Sequence, residues 1–252
     1  MSPLSPQYPA VKSRLQQVLT LSLTGTCVAF GIWAIGDAIA HGDTFQVQEV
    51  VFVGAERATP TQLRHLADVR TGTHLFNADL ARAVRGVETH PWVDEATARR
   101  RFPSAVEIHV REHKPKMLLA LDELWLVDEN ANIFKRADSA LLDFPVLSGI
   151  NPDFLREHPR VARAIVDDAN AIYKAVDADD ELALTDLSEI HFDSRAGFAV
   201  VLRSGTRIVL GFADPAPALD RLARMRERGL NLETPQQIDL DVGSVAIATP
   251  LH

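Results

Sequence analysis

Hydrophobic and polar positions divide the chain into one long charge-free run followed by short segments whose period changes several times. Between Leu15 and Gly36 lie 22 residues without a charge, among them Val18, Leu19, Leu21, Leu23, Val28, Phe30, Ile32, Trp33 and Ile35. A helix of that length rises about 33 Å at 1.5 Å per residue and matches a hydrocarbon core of about 30 Å, so the run predicts a transmembrane helix. Lys12 and Arg14 precede it and Asp37 follows. The positive-inside rule then places residues 1–14 in the cytoplasm and everything after Asp37 outside it. A signal peptide cleaved after Ala38-Ile39-Ala40 is the competing reading, but its apolar region usually spans about 7–15 residues. An uncleaved anchor, with its juxtamembrane residues extending to 40, is the expectation.

Beyond the anchor the period alternates between strand and helix. Gln46 to Val53 reads as a strand with Val47, Val51 and Val53 on one face and Val50 and Phe52 on the other. Both faces are apolar, which predicts a central strand. Thr59-Pro60 supplies a cap and a first helical proline ahead of Leu63, Leu66 and Ala67. Asn77 is the predicted cap of a second helix carrying Leu80, Ala83, Val84 and Val87, which His90-Pro91 stops. Strands follow at Val93–Phe102 and Val106–Arg111, separated at Pro103-Ser104. The order is strand, helix, helix, strand, strand.

Residues 115–252 read as strands around two helices. Leu118–Leu121, Leu124–Val127 and Ile133-Phe134 are short apolar runs broken by turns, of which Asp128 to Asn132 is the clearest. Val161, Ile165, Ala169, Ile172 and Val176 share one face of a predicted helix from Pro159 to Val176. Phe198–Leu202 and Thr206–Leu210 form a hairpin about Ser204-Gly205. Asp214-Pro215 opens a helix lined by Leu219, Leu222 and Met225, with Gly229 at its C-terminal cap. In the last stretch Ile238, Leu240 and Val242 are apolar on even positions, and Val245 and Ile247 on odd ones. One strand with a β-bulge at Gly243-Ser244 keeps both sets on one face; two short strands joined by a turn there are the alternative.

Charge and composition narrow the function. The net charge of −8 divides into +2 over residues 1–36 and −10 over the rest. An acidic globular part does not suit non-specific nucleic-acid binding, which needs a basic face. Cys27 is the only cysteine, which excludes an intramolecular disulfide and a cysteine-based zinc site. No GxGxxG, P-loop, HExxH or GxSxG pattern is present. His109 and His113 on or beside a strand lie about 13 Å apart, too far to share a metal. Arg99, Arg100 and Arg101 alternate faces on their strand and make no single stripe. The acidic run at Asp177, Asp179, Asp180 and Glu181 lacks the ligand alternation of a calcium loop. No candidate site converges, so no catalysis, cofactor, metal or small-molecule substrate is expected.

The segment His90-Pro91-Trp92-Val93 through Arg99-Arg100-Arg101-Phe102-Pro103, followed by Val106 to Pro115, resembles the second half of a POTRA domain. Together with Thr71-Gly72-Thr73-His74-Leu75-Phe76, Phe144 to Gly149 and the hairpin Phe198–Gly211, it resembles the FtsQ/DivIB cell-division family. Asp241 and Val242 stand where that family often has Arg and Tyr, and Asn132 where it has a turn glycine. The resemblance implies structural roles for Trp92, Arg100, Pro103, Glu112 and Pro115, with Trp92 buried and the prolines ending strands. It also implies a partner surface including Arg195, Asp239, Asp241, Val242, Gly243, Ser244, Val245 and Ala246, with the final strand, roughly Ile238 to Ile247, as a recognition edge.

The expected architecture is therefore α+β: a cytoplasmic tail (1–14), a transmembrane helix and juxtamembrane segment (15–40), a POTRA domain of β-α-α-β-β order (45–114) and a C-terminal β-rich domain with two helices (115–252). The implied function is a non-catalytic divisome scaffold of the inner membrane at the division septum, its partners being proteins of the FtsB/FtsL type and other divisome members. A POTRA-bearing chaperone or a secretion or outer-membrane assembly component is the alternative; the 138 residues after Lys114 fall short of the at least ~160 that a 16-stranded barrel requires.

Overall fold

The computed structural model describes residues 10–41, 43–138, 141–178, 186–212, 214–241 and 247–250. The chain divides into two units, Met1–Arg111 and Glu112–His252.

Helix α1 covers Ala10–His41. Among the described residues no helix is long and apolar enough to cross a membrane. The unbroken run of described side chains on α1 covers 19–34, about 24 Å of helix axis against the 33 Å of the sequence run. Ser22, Thr24 and Thr26 interrupt the apolar residues within it. Their hydroxyls donate back to carbonyls of the preceding turn, Thr24 to Thr20 at 2.6 Å and Thr26 to Ser22 at 2.8 Å.

The rest of the first unit follows the predicted order: β1 (Glu49–Val53), α2 (Pro60–Ala67), α3 (Leu80–Val87), β2 (Val93–Arg101) and β3 (Ala105–Glu112). Thr59 caps α2 in a reciprocal box with Gln62. The cap of α3 is Asp79, which accepts the Arg82 N–H at 3.0 Å, and not Asn77, whose own N–H donates to His74 in the preceding turn. β1 is an edge strand and not the central one: the sheet order is β1-β3-β2, with β1 parallel to β3. Apolar alternation misplaced them because the central strand carries a charge, Glu107, which is 8% exposed and held by Arg99 at 2.6 Å and His109 at 2.6 Å. Trp92 is buried as predicted, with the Arg57 guanidinium 4.5 Å from its ring centre.

Nine strands make one mixed sheet in the second unit, in the order β12-β11-β10-β9-β8-β7-β4-β5-β6. They are β4 (Pro115–Ala120), β5 (Leu124–Asp128), β6 (Ile133–Arg136), β7 (Val146–Ser148), β8 (Leu187–Asp193), β9 (Gly197–Leu202), β10 (Arg207–Gly211), β11 (Gln236–Asp239) and β12 (Ile247–Pro250). Pro115 opens β4 rather than only ending the strand before it. Parallel neighbours need a crossover, and helices supply two of them. α4 (Pro152–Glu157) and α5 (Pro159–Asp177) connect β7 to β8, and α6 (Pro215–Glu227) connects β10 to β11. Two helices are expected here from the sequence; α4 and β7, of six and three residues, are too short to show a period, and β8 lacks a clean alternation because Ser188, Glu189, His191 and Asp193 interrupt its apolar positions. Leu119, Val127, Leu147, Val166, Leu187, Ile190, Ile208, Leu222 and Ile238 lie fully inside the core between sheet and helices. Each such side chain stabilises the fold by about 1.5–3 kcal/mol. Val161 departs from its predicted core face and is 52% exposed.

The C-terminal stretch corrects the single-strand reading. Residues 236–239 and 247–250 are separate antiparallel neighbours, Asp239 opposite Ile247 and Gln236 opposite Pro250. The parity flip therefore marks a reversal of the chain, the alternative reading, and β12 takes the edge position. β11, bearing Asp239, is hydrogen-bonded on both sides.

Candidate functional site

The strands β7, β8, β10 and β11 all run toward the same end of the sheet, and there the chain brings together segments distant in sequence. Arg195 lies in the β8–β9 turn, exposed, its backbone N–H donating to Asp193 Oδ1 at 2.7 Å beside that of Ala196 at 3.0 Å. These two donors hold the Asp193 carboxyl below the usual carboxylate range. The turn closes at Gly197, where a Cβ would meet the Gly211 carbonyl at 2.2 Å. Gly211 has φ 80°, and a Cβ on it would lie 2.2 Å from Asp241 Oδ1. Glycine at both positions thus allows the Arg195 turn, the end of β10 and Asp241 to stack edge to edge.

Asp241 is exposed, and its N–H donates to Asp239 Oδ1 at 2.9 Å. Asp239 thereby serves the turn itself. Arg221 of α6 fixes the same corner by donating to the Leu240 carbonyl at 2.5 Å. Val242, Gly243, Ser244, Val245 and Ala246 lie outside the described residues.

Beside this corner is an open cavity of about 550 Å³ whose lining includes Phe154 of α4, Val161 and Ile165 of α5, and Phe192, Phe198 and Phe212. Phe192 packs against Phe198 at 5.2 Å and against Phe212 at 6.4 Å. Phe212 is 61% exposed. An apolar cavity next to an exposed arginine and an exposed aspartate suits an amphipathic protein segment. Sequence reasoning placed Phe198 on its strand but missed Phe154, Phe192 and Phe212: the first two lie on α4 and β8, which it did not identify, and the third lies just beyond the end of β10, where periodicity carries no signal.

Two other polar groupings have structural explanations. Ser148, Glu189 and His191 converge on neighbouring strands, but the Ser148 hydroxyl (2.7 Å) and the Glu189 carboxylate (3.4 Å) both face Nδ1 of His191. A base–nucleophile–acid relay needs the two partners on opposite ring nitrogens. His113 meets the buried Asp128 at 2.7 Å and stacks on Phe134 at 4.4 Å.

The structural-motif residues have physical roles in the first unit. Arg100 donates to three carbonyls of one loop, Leu75 (2.8 Å), Phe76 (3.3 Å) and Ala78 (3.0 Å), tying β2 to the segment before α3. Pro103 sits in the turn between β2 and β3.

Comparison with known proteins places these features. Residues 45–113 match the profile described as "POTRA domain, FtsQ-type", and residues 119–241 match "Cell division protein FtsQ/DivIB, C-terminal". The cell division protein FtsQ of Anaeromyxobacter sp. (strain K) is 34% identical over 217 residues, covering 86% of this chain and 72% of that relative. FtsQ of Myxococcus fulvus is 31% identical over 225 residues, covering 87% and 79%. The solved major extracytoplasmic domain of the cell division protein DivIB from Geobacillus stearothermophilus aligns over 48% of this chain and 99% of that one at 18% identity, with a TM-score of 0.30. On the profile matches and the two relatives, the chain belongs to the FtsQ/DivIB cell-division family and is a non-catalytic component of the division apparatus.

Proposed function

We propose that the chain is a single-pass scaffold of the inner membrane at the division septum. Residues 1–14 lie in the cytoplasm and α1 is the anchor; the POTRA domain (45–114) and the C-terminal β domain (115–252) lie outside the cytoplasm. Support for the anchor comes from the exposed apolar side chains of α1, including Leu19, Leu21, Leu23, Val28, Phe30, Ile32 and Trp33. So many large apolar side chains left exposed on one helix are costly in water. Its hydroxyls, bonded within the helix, are already satisfied for a lipid environment.

Small division proteins of the FtsB/FtsL type dock on the C-terminal domain. The observation that carries this reading is the convergence of the Arg195 turn, Phe212 and Asp241 beside an apolar cavity. An extended segment of the partner adds to the side of β12 that no strand covers among the described residues, and an apolar side chain enters the cavity. Photo-crosslinking in dividing cells tests it, with the crosslinker at Arg195 or Thr249 and a control at Glu123. Crosslinks to small membrane division proteins from the first two positions, and none from the control, are expected. Equal labelling at all three, or labelling at the control alone, would refute the assignment.

A further inference from the structure

The first unit carries an exposed aromatic patch that neither its core nor the partner surface uses. Phe45, His74, Phe76 and Phe102 form a contiguous group: ring centres are 6.0 Å apart for Phe45–Phe76, 5.7 Å for His74–Phe76 and 5.6 Å for Phe76–Phe102. Phe76 is 46% and Phe102 59% exposed, whereas Leu75 between His74 and Phe76 is fully buried.

The patch is held from both sides. Residues 45–47 pair with the loop at 72–75, through Leu75 N–H to the Phe45 carbonyl at 2.7 Å, Val47 N–H to Thr73 at 2.8 Å and Gly72 N–H to Val47 at 2.8 Å. Arg100 fastens the same loop from β2 through its three carbonyl contacts. A fixed group of large apolar rings on a water-facing surface costs solvation in the free protein and marks an interaction site.

Chain length indicates the occupant. Phe45 follows the last residue of α1, His41, by four residues. Four extended residues reach about 14 Å at most. The charge-free run ends at Gly36, so His41 lies only about 7.5 Å further along the helix. Whatever the orientation of the domain, the patch is tethered within reach of the headgroup layer. Aromatic rings concentrate at that level, and Arg101, exposed and next to Phe102, suits anionic headgroups.

We propose that Phe45, His74, Phe76 and Phe102 seat the POTRA domain on the outer surface of the membrane that α1 spans, inserting Phe76 and Phe102 into the headgroup layer. The inference rests on the anchor reading of α1, and the test separates the two. Cys27 is the only cysteine, so Cys27→Ser gives a background for single spin labels on the full chain. Labels go at Phe102→Cys, Phe76→Cys, Ile32→Cys and, as an aqueous control, Arg82→Cys, with the protein reconstituted in vesicles of phosphatidylethanolamine and phosphatidylglycerol.

Relative collision with oxygen, which favours lipid, and with a water-soluble nickel chelate gives depth. The expected ratio at positions 102 and 76 is at least threefold above that at 82, with 32 higher still. Ratios at 102 and 76 equal to that at 82, with 32 in hydrocarbon, would overturn the docking and leave the anchor standing. A water-like ratio at 32 would overturn the anchor, and the docking with it. Protection of 102 that appears only in native cell membranes and not in lipid vesicles would assign the patch to a protein partner and overturn the proposal.

Discussion

Asp128 offers a direct test of how the C-terminal sheet is held. It is 1% exposed, at the end of β5, and its carboxylate accepts four hydrogen bonds: the N–H groups of Asn130 and Asn132 on Oδ1 at 2.8 Å each, and Asn132 Nδ2 (3.0 Å) and His113 Nδ1 (2.7 Å) on Oδ2. Burial alone would push its pKa up, but the backbone N–H of Asn132, His113, the Asn132 amide and the N–H of Asn130 together outweigh it and hold the carboxyl below its ordinary range. The turn it organises is also fastened to α5, where Arg163 donates to the Asn130 carbonyl at 3.0 Å and Asn170 to that of Glu129 at 3.0 Å. Asp128→Ala strands two partly buried backbone donors. At about 1–3 kcal/mol for each unsatisfied group, the loss is about 3 kcal/mol. For a unit of this size that lowers Tm by about 8–12 °C. Asp128→Asn, which retains one acceptor oxygen, is expected to lose less.

The sign of the pH dependence follows from the lowered pKa. The stabilisation is complete above the unfolded-state value near ~3.9 and is lost as pH falls through the folded-state value. Thermal melts of the parent and Asp128→Ala, followed by circular dichroism, are expected to differ fully at pH 7 and to converge in acid as pH falls through the lowered folded-state value. A difference under 2 °C at pH 7, or one that persists unchanged into acid, would refute the argument.

Further substitutions probe the remaining elements. Trp92→Ala is expected to destabilise the POTRA domain by about 3–5 kcal/mol, read as loss of its melting transition and as rapid proteolysis. Arg100→Lys cannot reach three carbonyls with one ammonium group, and hydrogen exchange across residues 75–78 is expected to quicken while the strands stay protected. Gly211→Ala places a Cβ at φ 80° against the Asp241 carboxylate. It is expected to cost about 1–2 kcal/mol by chemical denaturation and to weaken partner capture by moving Asp241.

Much of this organisation was legible in the sequence where local chemistry decides it. Thr59 and Asp214 announced their helices because a cap needs only the next three residues, and the hairpin at Ser204-Gly205 is equally local. Strand position was not legible: β1 looks central by composition yet lies at an edge, since placement depends on which strand tolerates Glu107 with Arg99 beside it. The reversal between β11 and β12 and an inserted bulge give the same parity flip, so the pattern left both open and pairing chose. Of the partner surface, Arg195 and Asp241 were named from family resemblance. Their juxtaposition depends on Gly197 and Gly211, and the aromatic cavity beside them on α4, α5 and the ends of β8, β9 and β10 meeting in space.

If the proposed docking surface is right, one end of the C-terminal sheet captures specific division proteins. The measurement that meets it most directly is affinity purification of the tagged full chain from solubilised membranes, with identification of its partners, for the parent and for Phe212→Asp combined with Asp241→Arg. The parent is expected to retain one or two small membrane division proteins in constant proportion. The double variant, both of whose sites are exposed, is expected to stay folded and to lose at least nine-tenths of them. Undiminished capture by the folded variant, or a parent that retains many unrelated extended chains, would contradict the account.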